Sequence, residues 1–292
     1  MKLVNKLAVI YHARTVGTLS MTPDNRLCAF QYDKEWLATG FSISPFELPL
    51  KPDLFVAKPE PFWGNFGIFE DSLPDGYGRY LLNRLLKKQG VNDGELTPLQ
   101  RLSIVGTSGM GALCYIPETY VGEEKTLPEL DNLQQIALDV LSEKSDKDEE
   151  VLYFNSGNSG GCRPKCLLQD VEGAWLVKFR HTYDPKNMGM MEFRYNEIAR
   201  KCGITVPDFK LMEGKYFASK RFDVENGVTQ CSGGYNGEHA TSVNNQGNPS
   251  LEDMLIVGES IRISRKKGLE IIRGIANSCE ELLAKEYEFI RK

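Results

Sequence analysis

The sequence is poor in the residues that bind metals. It has three histidines, and its seven cysteines include no Cys-x-x-Cys pair. Only Cys162 and Cys166 lie close together, and so few histidines leave too few ligands for a zinc site beside them. We therefore expect reduced thiols, a reducing compartment and a cytoplasmic location.

Two other absences narrow the class of protein. No segment is long and apolar enough to span a bilayer, and Met1–Ile10 holds only a short apolar run. The 35 Lys and Arg residues against 40 Asp and Glu residues give a formal net charge of −5. This balance provides no general basic field for a polyanion, so we expect no direct contact with nucleic acid and no membrane association.

The N-terminal part of the chain is expected to combine strands with one main helix. Alternating apolar residues predict strands over 7–11, 17–21 and 27–32, separated by polar turns. A Ser-Leu-Pro-Asp-Gly turn then precedes a helix, because the apolar residues that follow recur near the helical period. The residues of this stripe are Tyr77, Tyr80, Leu81, Leu85 and Leu86.

The chain becomes strongly acidic between 118 and 150. A short amphipathic helix is predicted over 133–138, and the charged run 145–150 is most simply a solvated linker without a function. At 292 residues with 41% apolar content, the chain is long enough to form two ordinary cores. We expect a second domain to begin near Val151.

A glycine-rich turn followed by a lysine in a strand is the most informative feature of the chain. The turn lies in Asn155–Lys165, and Lys178 stands in the apolar strand 174–179. In protein-kinase-like folds, a glycine-rich hairpin covers the phosphates of a nucleotide with backbone N–H groups, and a strand lysine pairs with them. Strand alternation puts two sets of residues on opposite faces: Trp175, Val177 and Phe179 on one, and Leu176, Lys178 and Arg180 on the other.

A helix with two candidate acids is predicted after the lysine strand. Its expected buried stripe consists of Met191, Tyr195, Ile198, Ala199 and Cys202, with Gly203 just past its end. In kinase-like lobes, an acid on this helix pairs with the strand lysine and orients it. Glu192 borders the stripe and is our candidate, whereas Glu197 can form an ordinary surface pair with Lys201.

Segments spread over almost the whole chain resemble one family, the HipA-type serine/threonine protein kinases. These kinases are the toxin components of bacterial toxin–antitoxin pairs. The segments, in chain order, are 69–79, 101–113, 159–165, 177–178, 217–223 and 237–244 with the two helices after it. Each segment is a weak signal alone, but their joint occurrence in this order is highly specific.

The resemblance implies ATP- and Mg²⁺-dependent transfer of a phosphoryl group to a protein serine or threonine. It also implies an antitoxin-type protein partner, and it places residues 219–222 at the adenine-side hinge. By matched position, and for Glu192 by its place on the helix, the nucleotide-binding residues would be Ser159, Gly160, Gly161, Arg163, Lys165, Lys178, Glu192, Lys220, Arg221 and Phe222.

The predicted fold class is α+β, with a β-rich N-terminal domain, a truncated protein-kinase-like domain and a short helical C-terminal part. The expected division is 1–120 for a HipA N-terminal-like domain, 121–150 for the acidic linker, 151–227 for a kinase N-lobe-like domain and 228–292 for a residual helical region. The apolar stripes of the last two helices need a partner, which makes a homo-oligomer or a bound protein a further expectation.

The chain departs from the family pattern after the hinge. Family members carry a catalytic loop resembling Asn-x-Asp-Asp-His-x-x-Asn, but here no aspartate is followed five residues later by an asparagine. The hinge strand ends at Asp223, and by Val228 the chain already resembles the stretch after the family's metal-binding aspartate. We therefore predict an internal deletion that removes the catalytic loop, and we assign no catalytic residue and no metal ligand.

Three interpretations remain open on the sequence alone. The chain is an active kinase that uses unrecognised acids, a non-catalytic module that binds a nucleotide or an antitoxin-type partner, or a damaged gene product. The chemistry favours the last two, because a lone lysine cannot replace the metal-holding and hydroxyl-orienting groups. Asp223 is either a surrogate metal ligand or, more simply, a turn residue beside Asn226-Gly227, and His239 is expected to be structural.

Overall fold

The fold is α+β, as predicted, with helices packed on antiparallel sheets. The computed structural model describes residues 4–109, 111–122, 127–144, 148–156, 161–225, 228–229 and 251–290. The C-terminal stretch that contains His239 lies outside these residues.

A five-stranded antiparallel sheet forms most of the N-terminal part. Its strands stand in the order β4-β3-β2-β1-β5. The predicted strands over 7–11, 17–21 and 27–32 are confirmed as the successive antiparallel strands β1, β2 and β3. The strand bounds are Lys6–Tyr11 for β1, Arg14–Met21 for β2, Cys28–Tyr32 for β3, Leu54–Val56 for β4 and Leu113–Ile116 for β5.

One face of this sheet packs against short helices to form a first core. These helices are α1 (Lys34–Thr39), α2 (Gly67–Glu70) and α4 (Pro98–Val105). The N-terminus of α4 has a capping box, in which the Thr97 hydroxyl accepts from the Gln100 N–H and the Gln100 side chain accepts from the Thr97 N–H. Large side chains from the sheet and the helices fill this core, among them Phe30, Trp36, Phe69 and Tyr115.

Helix α3 (Gly76–Lys88) is present where the apolar stripe predicted it, but it packs away from the first core. Its buried residues, including Leu81 and Leu85, belong to the same core cluster as Trp175 and Val177 far along the chain. The helix therefore joins the N-terminal part of the sequence to the second core.

The acidic segment contributes two helices to the second core. Helix α5 (Leu130–Leu141) buries Leu133 and Ala137, and helix α6 (Glu149–Ser156) packs on α3. The expectation of a solvated run is wrong at Glu149, whose side chain is fully buried. Its carboxylate lies 2.6 Å from Arg84 Nε and 2.7 Å from Lys88 Nζ, and these two cations of α3 explain the burial of the charge.

A second antiparallel sheet has the strand order β6-β7-β9-β8. The predicted alternation in β7 is confirmed, because Trp175 and Val177 are buried while Leu176 and Lys178 are half-buried. The bounds are Lys165–Asp170 for β6, Gly173–Lys178 for β7, Phe209–Met212 for β8 and Tyr216–Lys220 for β9, followed by the short hairpin of β10 (Val224–Glu225) and β11 (Val228–Thr229).

Helix α7 (Met188–Lys201) follows the lysine strand, with Gly203 at φ +78° just past its end as predicted. The expected buried stripe is confirmed at Ile198 but is wrong at Tyr195, which is 46% exposed, while Met191, Ala199 and Cys202 are half-buried. The helix instead packs against β8 and β9, where the Phe193 ring meets the Phe209 ring edge-on at 5.2 Å between centroids.

Two helices end the described chain, α8 (Leu251–Ser260) and α9 (Arg265–Ile290). They pack against each other, and α9 also contacts α7. Ile256 and Ile271 are exposed on them at 42% and 41%. Within the described part of the chain, none of the helices has the length and apolar character needed to cross a membrane.

Candidate nucleotide-binding site

Two lysines on neighbouring strands of the second sheet define the candidate site. Lys165 of β6 stands directly opposite Lys178 of β7, and Leu167 stands opposite Leu176. Opposite residues of antiparallel strands project to the same side of a sheet. We call this side, which also carries Phe217 of β9, the lysine face.

The structure brings Lys178 and Glu192 together. Lys178 Nζ lies 2.9 Å from Glu192 Oε2, and it also lies 5.5 Å from the centre of the Phe217 ring. The Lys178 side chain is 37% exposed and that of Glu192 is 15% exposed. The acid on α7 therefore holds the strand lysine from one side, while part of the lysine remains open to solvent.

Lys165 is much more buried than Lys178, with only 6% of its surface exposed. Burial lowers the pKa of Lys165 below its ordinary value, because the charged form is poorly solvated, and the nearby charge of Lys178 lowers the pKa further. The charge of Asp75 acts in the opposite direction. The site thus has two lysines at opposite positions of neighbouring strands, one paired with Glu192 and the other largely buried.

Helix α5 holds the end of the lysine strand. The Gln134 side chain accepts a hydrogen bond from the Arg180 N–H at 2.9 Å and donates one to the Arg180 carbonyl at 3.2 Å. At the first turn of the same helix, Asp131 accepts hydrogen bonds from Lys215 and Tyr216 of the β8–β9 hairpin. A helix of the predicted linker therefore supports the sheet that carries the two lysines.

Arg163 is bound by an acid that sequence reasoning missed. Its Nε and terminal nitrogen donate to the two oxygens of Asp184 at 2.7 and 2.9 Å, and Asp184 also accepts from the His181 N–H at 2.8 Å. Asp184 is only 9% exposed. In the sequence it stands in a Tyr-Asp-Pro turn, a pattern that gave no sign of a partner 21 residues away.

The Arg163–Asp184 pair should make stability depend on pH. Arg163 lowers the pKa of the Asp184 carboxyl, so ionised Asp184 stabilises the folded chain at neutral pH. This contribution is lost as the pH falls below about 4 and through the lower folded-state pKa. Asp184→Asn should cost about 1 kcal/mol at pH 7, since Arg163 is partly exposed, and less at pH 3.

Urea unfolding of both chains at the two pH values measures this effect. Asp208→Asn is the control, because the Asp208 side chain is 74% exposed and lies 3.7 Å from Arg200. An Asp184→Asn loss that is the same at both pH values would contradict the assignment of the stabilisation to the ionised carboxylate.

The segment before β6 is attached to the start of helix α3. The Gly161 N–H donates to Asp75 Oδ1 at 3.0 Å, and the Gly161 carbonyl accepts from the Tyr77 N–H at 3.0 Å. In the sequence, Asp75 belongs to the turn before the predicted helix and to the segment 69–79 that resembles the family, and neither pattern indicates a contact with Gly161. Two residues of the predicted site, Ser159 and Gly160, lie outside the described residues.

The predicted hinge residues Lys220, Arg221 and Phe222 lie in different surroundings. Lys220 stands opposite Trp175, so its side chain lies on the other side of the sheet from the lysine face. Arg221 makes two hydrogen bonds to Asp223, at 3.0 and 2.7 Å, and this partner lowers the pKa of the Asp223 carboxyl. Phe222 is 81% exposed.

The described residues do not fit a Mg²⁺ site. Among them, no group of three or more His, Cys, Asp or Glu side chains is arranged to hold a metal ion. The acid beside Lys178 is already paired with the lysine, and Asp223 is paired with Arg221.

Comparisons with known proteins bear on the family of the chain. The family model described as the HipA N-terminal domain matches residues 7–116, and the one described as the HipA-like C-terminal domain matches residues 157–243. A search of curated proteins gave no significant match.

A solved structure is similar to this chain over part of its length. It is the complex of the Shewanella oneidensis MR-1 toxin–antitoxin proteins HipA and HipB with operator DNA, matched with 20% identity and a TM-score of 0.49. The match covers 77% of this chain and 53% of that one, so the present chain spans about half the length of the matched chain.

The two family models follow one another along the sequence and together match about two thirds of it. Both describe parts of the same kind of protein, and both agree with the family that the sequence motifs indicate. This chain belongs to the HipA-like protein family.

Proposed function

We propose that this HipA-like chain binds a nucleoside triphosphate, ATP by family resemblance, at the lysine face and transfers its γ-phosphate slowly or not at all. The observation that carries the proposal is the Lys178–Glu192 ion pair at 2.9 Å, with Lys165 directly opposite on β6. Pairing of a strand lysine with a helix acid is the arrangement that protein kinases use to place the lysine against nucleotide phosphates.

The charges of the site favour an anionic ligand. Lys165 and Lys178 stand opposite each other on neighbouring strands, and Glu192 pairs with Lys178. A triphosphate near both lysines would offset the repulsion between their positive charges. Arg163 is held by Asp184 through Nε and one terminal nitrogen, which form one edge of its guanidinium group.

Phosphoryl transfer needs more than a lysine. In kinases, metal ions neutralise the charge that develops on the transferred group, and a catalytic aspartate orients the attacking hydroxyl. The sequence lacks the aspartate and asparagine spacing of the family's catalytic loop. Among the described residues there is also no group of three or more His, Cys, Asp or Glu side chains that could hold a metal ion. A Mg²⁺ ion that arrives with ATP would therefore be held mainly by the phosphate oxygens.

A thermal-shift titration with ATP tests the binding part of the proposal. A ligand that binds only the folded chain should stabilise it by about 2.7 kcal/mol at a concentration 100-fold above Kd. Lys178→Met should abolish the shift. Lys210→Met is the matched control, because Lys210 is a strand lysine that is also ion-paired but stands opposite Ala218, away from the lysine face.

The chemical part needs a second assay on the same preparations. Incubation with γ-labelled ATP and Mg²⁺, with and without added substrate proteins, should give no more labelled product than the Lys178→Met chain gives. ATP-dependent labelling by the unmodified chain would show an active kinase that uses unrecognised acids. Absence of any thermal shift would contradict nucleotide binding.

A second candidate function is the binding of an antitoxin-type protein. The match of residues 7–116 to the HipA N-terminal domain favours it, because the matched residues include nearly all of the five-stranded first sheet. Co-expression with the product of the neighbouring reading frame, followed by size-exclusion chromatography with light scattering, should give a complex of defined mass. The same experiment, with and without operator-length DNA, tests the predictions of a homo-oligomer and of no direct nucleic-acid contact.

A further inference from the structure

Both polar groups of the Gly161 backbone are bound by the first turn of helix α3. The N–H donates to Asp75 Oδ1 and the carbonyl accepts from the Tyr77 N–H, each at 3.0 Å. Asp75 is 86 positions from Gly161 in the sequence, and both Asp75 and Tyr77 lie in the region matched by the N-terminal family model. These contacts join the N-terminal part of the chain to the segment that precedes β6.

Asp75 does not act as an ordinary helix cap. It occupies the N-cap position of α3, where an aspartate usually accepts from backbone N–H groups of its own helix, but it makes no such hydrogen bond. Its carboxylate accepts from Gly161 instead. An N–H group at the start of the helix also binds this segment, because the Tyr77 N–H donates to the Gly161 carbonyl.

Gly76 allows the two backbones to approach this closely. It has φ +43°, and a Cβ atom at this position would lie 2.6 Å from the Gly161 carbonyl oxygen and 2.8 Å from its carbon. Both atoms belong to the backbone, so a side chain at position 76 would have to push the segment away. The approach therefore depends on a residue without a side chain.

The contact reaches the lysine face through one more residue. Lys165 Nζ lies 3.2 Å from the point that a Cβ on Gly161 would occupy, so the lysine side chain runs beside Gly161. Lys165 in turn stands opposite Lys178. A shift of Gly161 would therefore change the space available to the buried amino group and to any anion beside it.

We propose that Asp75 is a positioning residue that holds the Gly161 backbone and the Lys165 side chain in place, so that the N-terminal part of the chain sets the affinity for nucleotide. The effect on nucleotide affinity rests on the proposed function, whereas the positioning of Gly161 and Lys165 does not. Neither Asp75 nor Gly76 is placed in contact with the ligand.

Amide hydrogen exchange without nucleotide tests the positioning directly. Asp75→Ala should speed exchange in a peptide that covers 161–168, and Asp75→Asn should largely restore protection, because the amide oxygen can still accept from Gly161. Asp93→Ala is the control, since Asp93 pairs with Arg79 of the same helix and with Arg101 but not with the segment. Equal exchange in all four chains would overturn the inference.

ATP affinity, measured by thermal-shift or fluorescence titration, tests the consequence. Asp75→Ala should raise Kd by up to about tenfold, as expected for the loss of one hydrogen bond, while Asp75→Asn and Asp93→Ala stay near the unmodified chain. Gly76→Ala should raise Kd at least as much. An unchanged Kd in Asp75→Ala would overturn the inference, even if the proposed function stands.

The two failures can be told apart. If the unmodified chain binds no ATP, the proposed nucleotide binding and the predicted effect of Asp75 on affinity are both wrong. The exchange experiment then still shows whether Asp75 positions Gly161. If the unmodified chain binds ATP, the comparison of Asp75→Ala with Asp93→Ala separates positioning from a general loss of stability.

Discussion

Glu149→Ala should lower the free energy of unfolding by about 3–5 kcal/mol, the largest effect that we expect from a single charge. Glu149 is fully buried, and it neutralises Arg84 and Lys88 of the neighbouring helix at 2.6 and 2.7 Å. Removing it leaves a cavity and two cations without their carboxylate at the contact between α3 and α6. Urea unfolding followed by circular dichroism measures the change.

Two further variants make this prediction specific. Glu149→Gln keeps the size of the side chain but not its charge, so it should cost less than alanine yet remain clearly destabilising. Glu95→Ala removes an exposed acid and should change stability by less than about 0.5 kcal/mol. A Glu149→Ala chain that is as stable as Glu95→Ala would contradict the buried arrangement of the three charges.

Gly189→Ala should destabilise the chain by about 2–3 kcal/mol, although alanine is the better helix former. Gly189 lies in the first turn of α7, and a Cβ there would lie 2.1 Å from the Lys215 carbonyl oxygen and 3.0 Å from the Phe217 nitrogen. Both are backbone atoms of the β8–β9 hairpin, so the helix would have to move. Since α7 carries Glu192, we also expect weaker nucleotide binding.

Thermal unfolding and ATP titration of the same variant measure both effects. Gly274→Ala is the matched control, because it is the same substitution in helix α9, where a Cβ would meet nothing within 4 Å. That change should stabilise the helix by about 0.5–1 kcal/mol. If Gly189→Ala behaves like Gly274→Ala, the close approach of α7 to the hairpin is wrong.

Local geometry explains which parts of the site could be predicted from sequence. The side-chain period of a strand is two, so alternation alone separated Val177 from Lys178. The helical pattern placed Glu192 on α7, and the family resemblance supplied the reason to pair it with Lys178. Each of these inferences depends on neighbours within a few positions or on a known motif.

Other contacts could not be predicted, because their partners are distant in sequence. Glu149 and Arg84 are 65 positions apart, and Asp75 and Gly161 are 86 positions apart. An acid in a charged run or at the start of a helix has the same local pattern whether it is solvated or bound. Only the packing of α3 against the second core brings these groups to their partners.

The sequence by itself determined the family, the α+β class, three of the five strands of the first sheet and the face of β7 that carries Lys178. These features follow from local sequence patterns and motifs. The physical basis of the patterns is the fixed side-chain repeat of strands and helices. The tertiary structure alone decided that the acidic segment enters a core, that Lys220 lies on the other side of the sheet from Lys178, and that helix α3 holds Gly161. Those outcomes depend on which surfaces of the sheets and helices pack together. Hydrophobic burial favours one packing arrangement for the whole chain, and no single segment determines it.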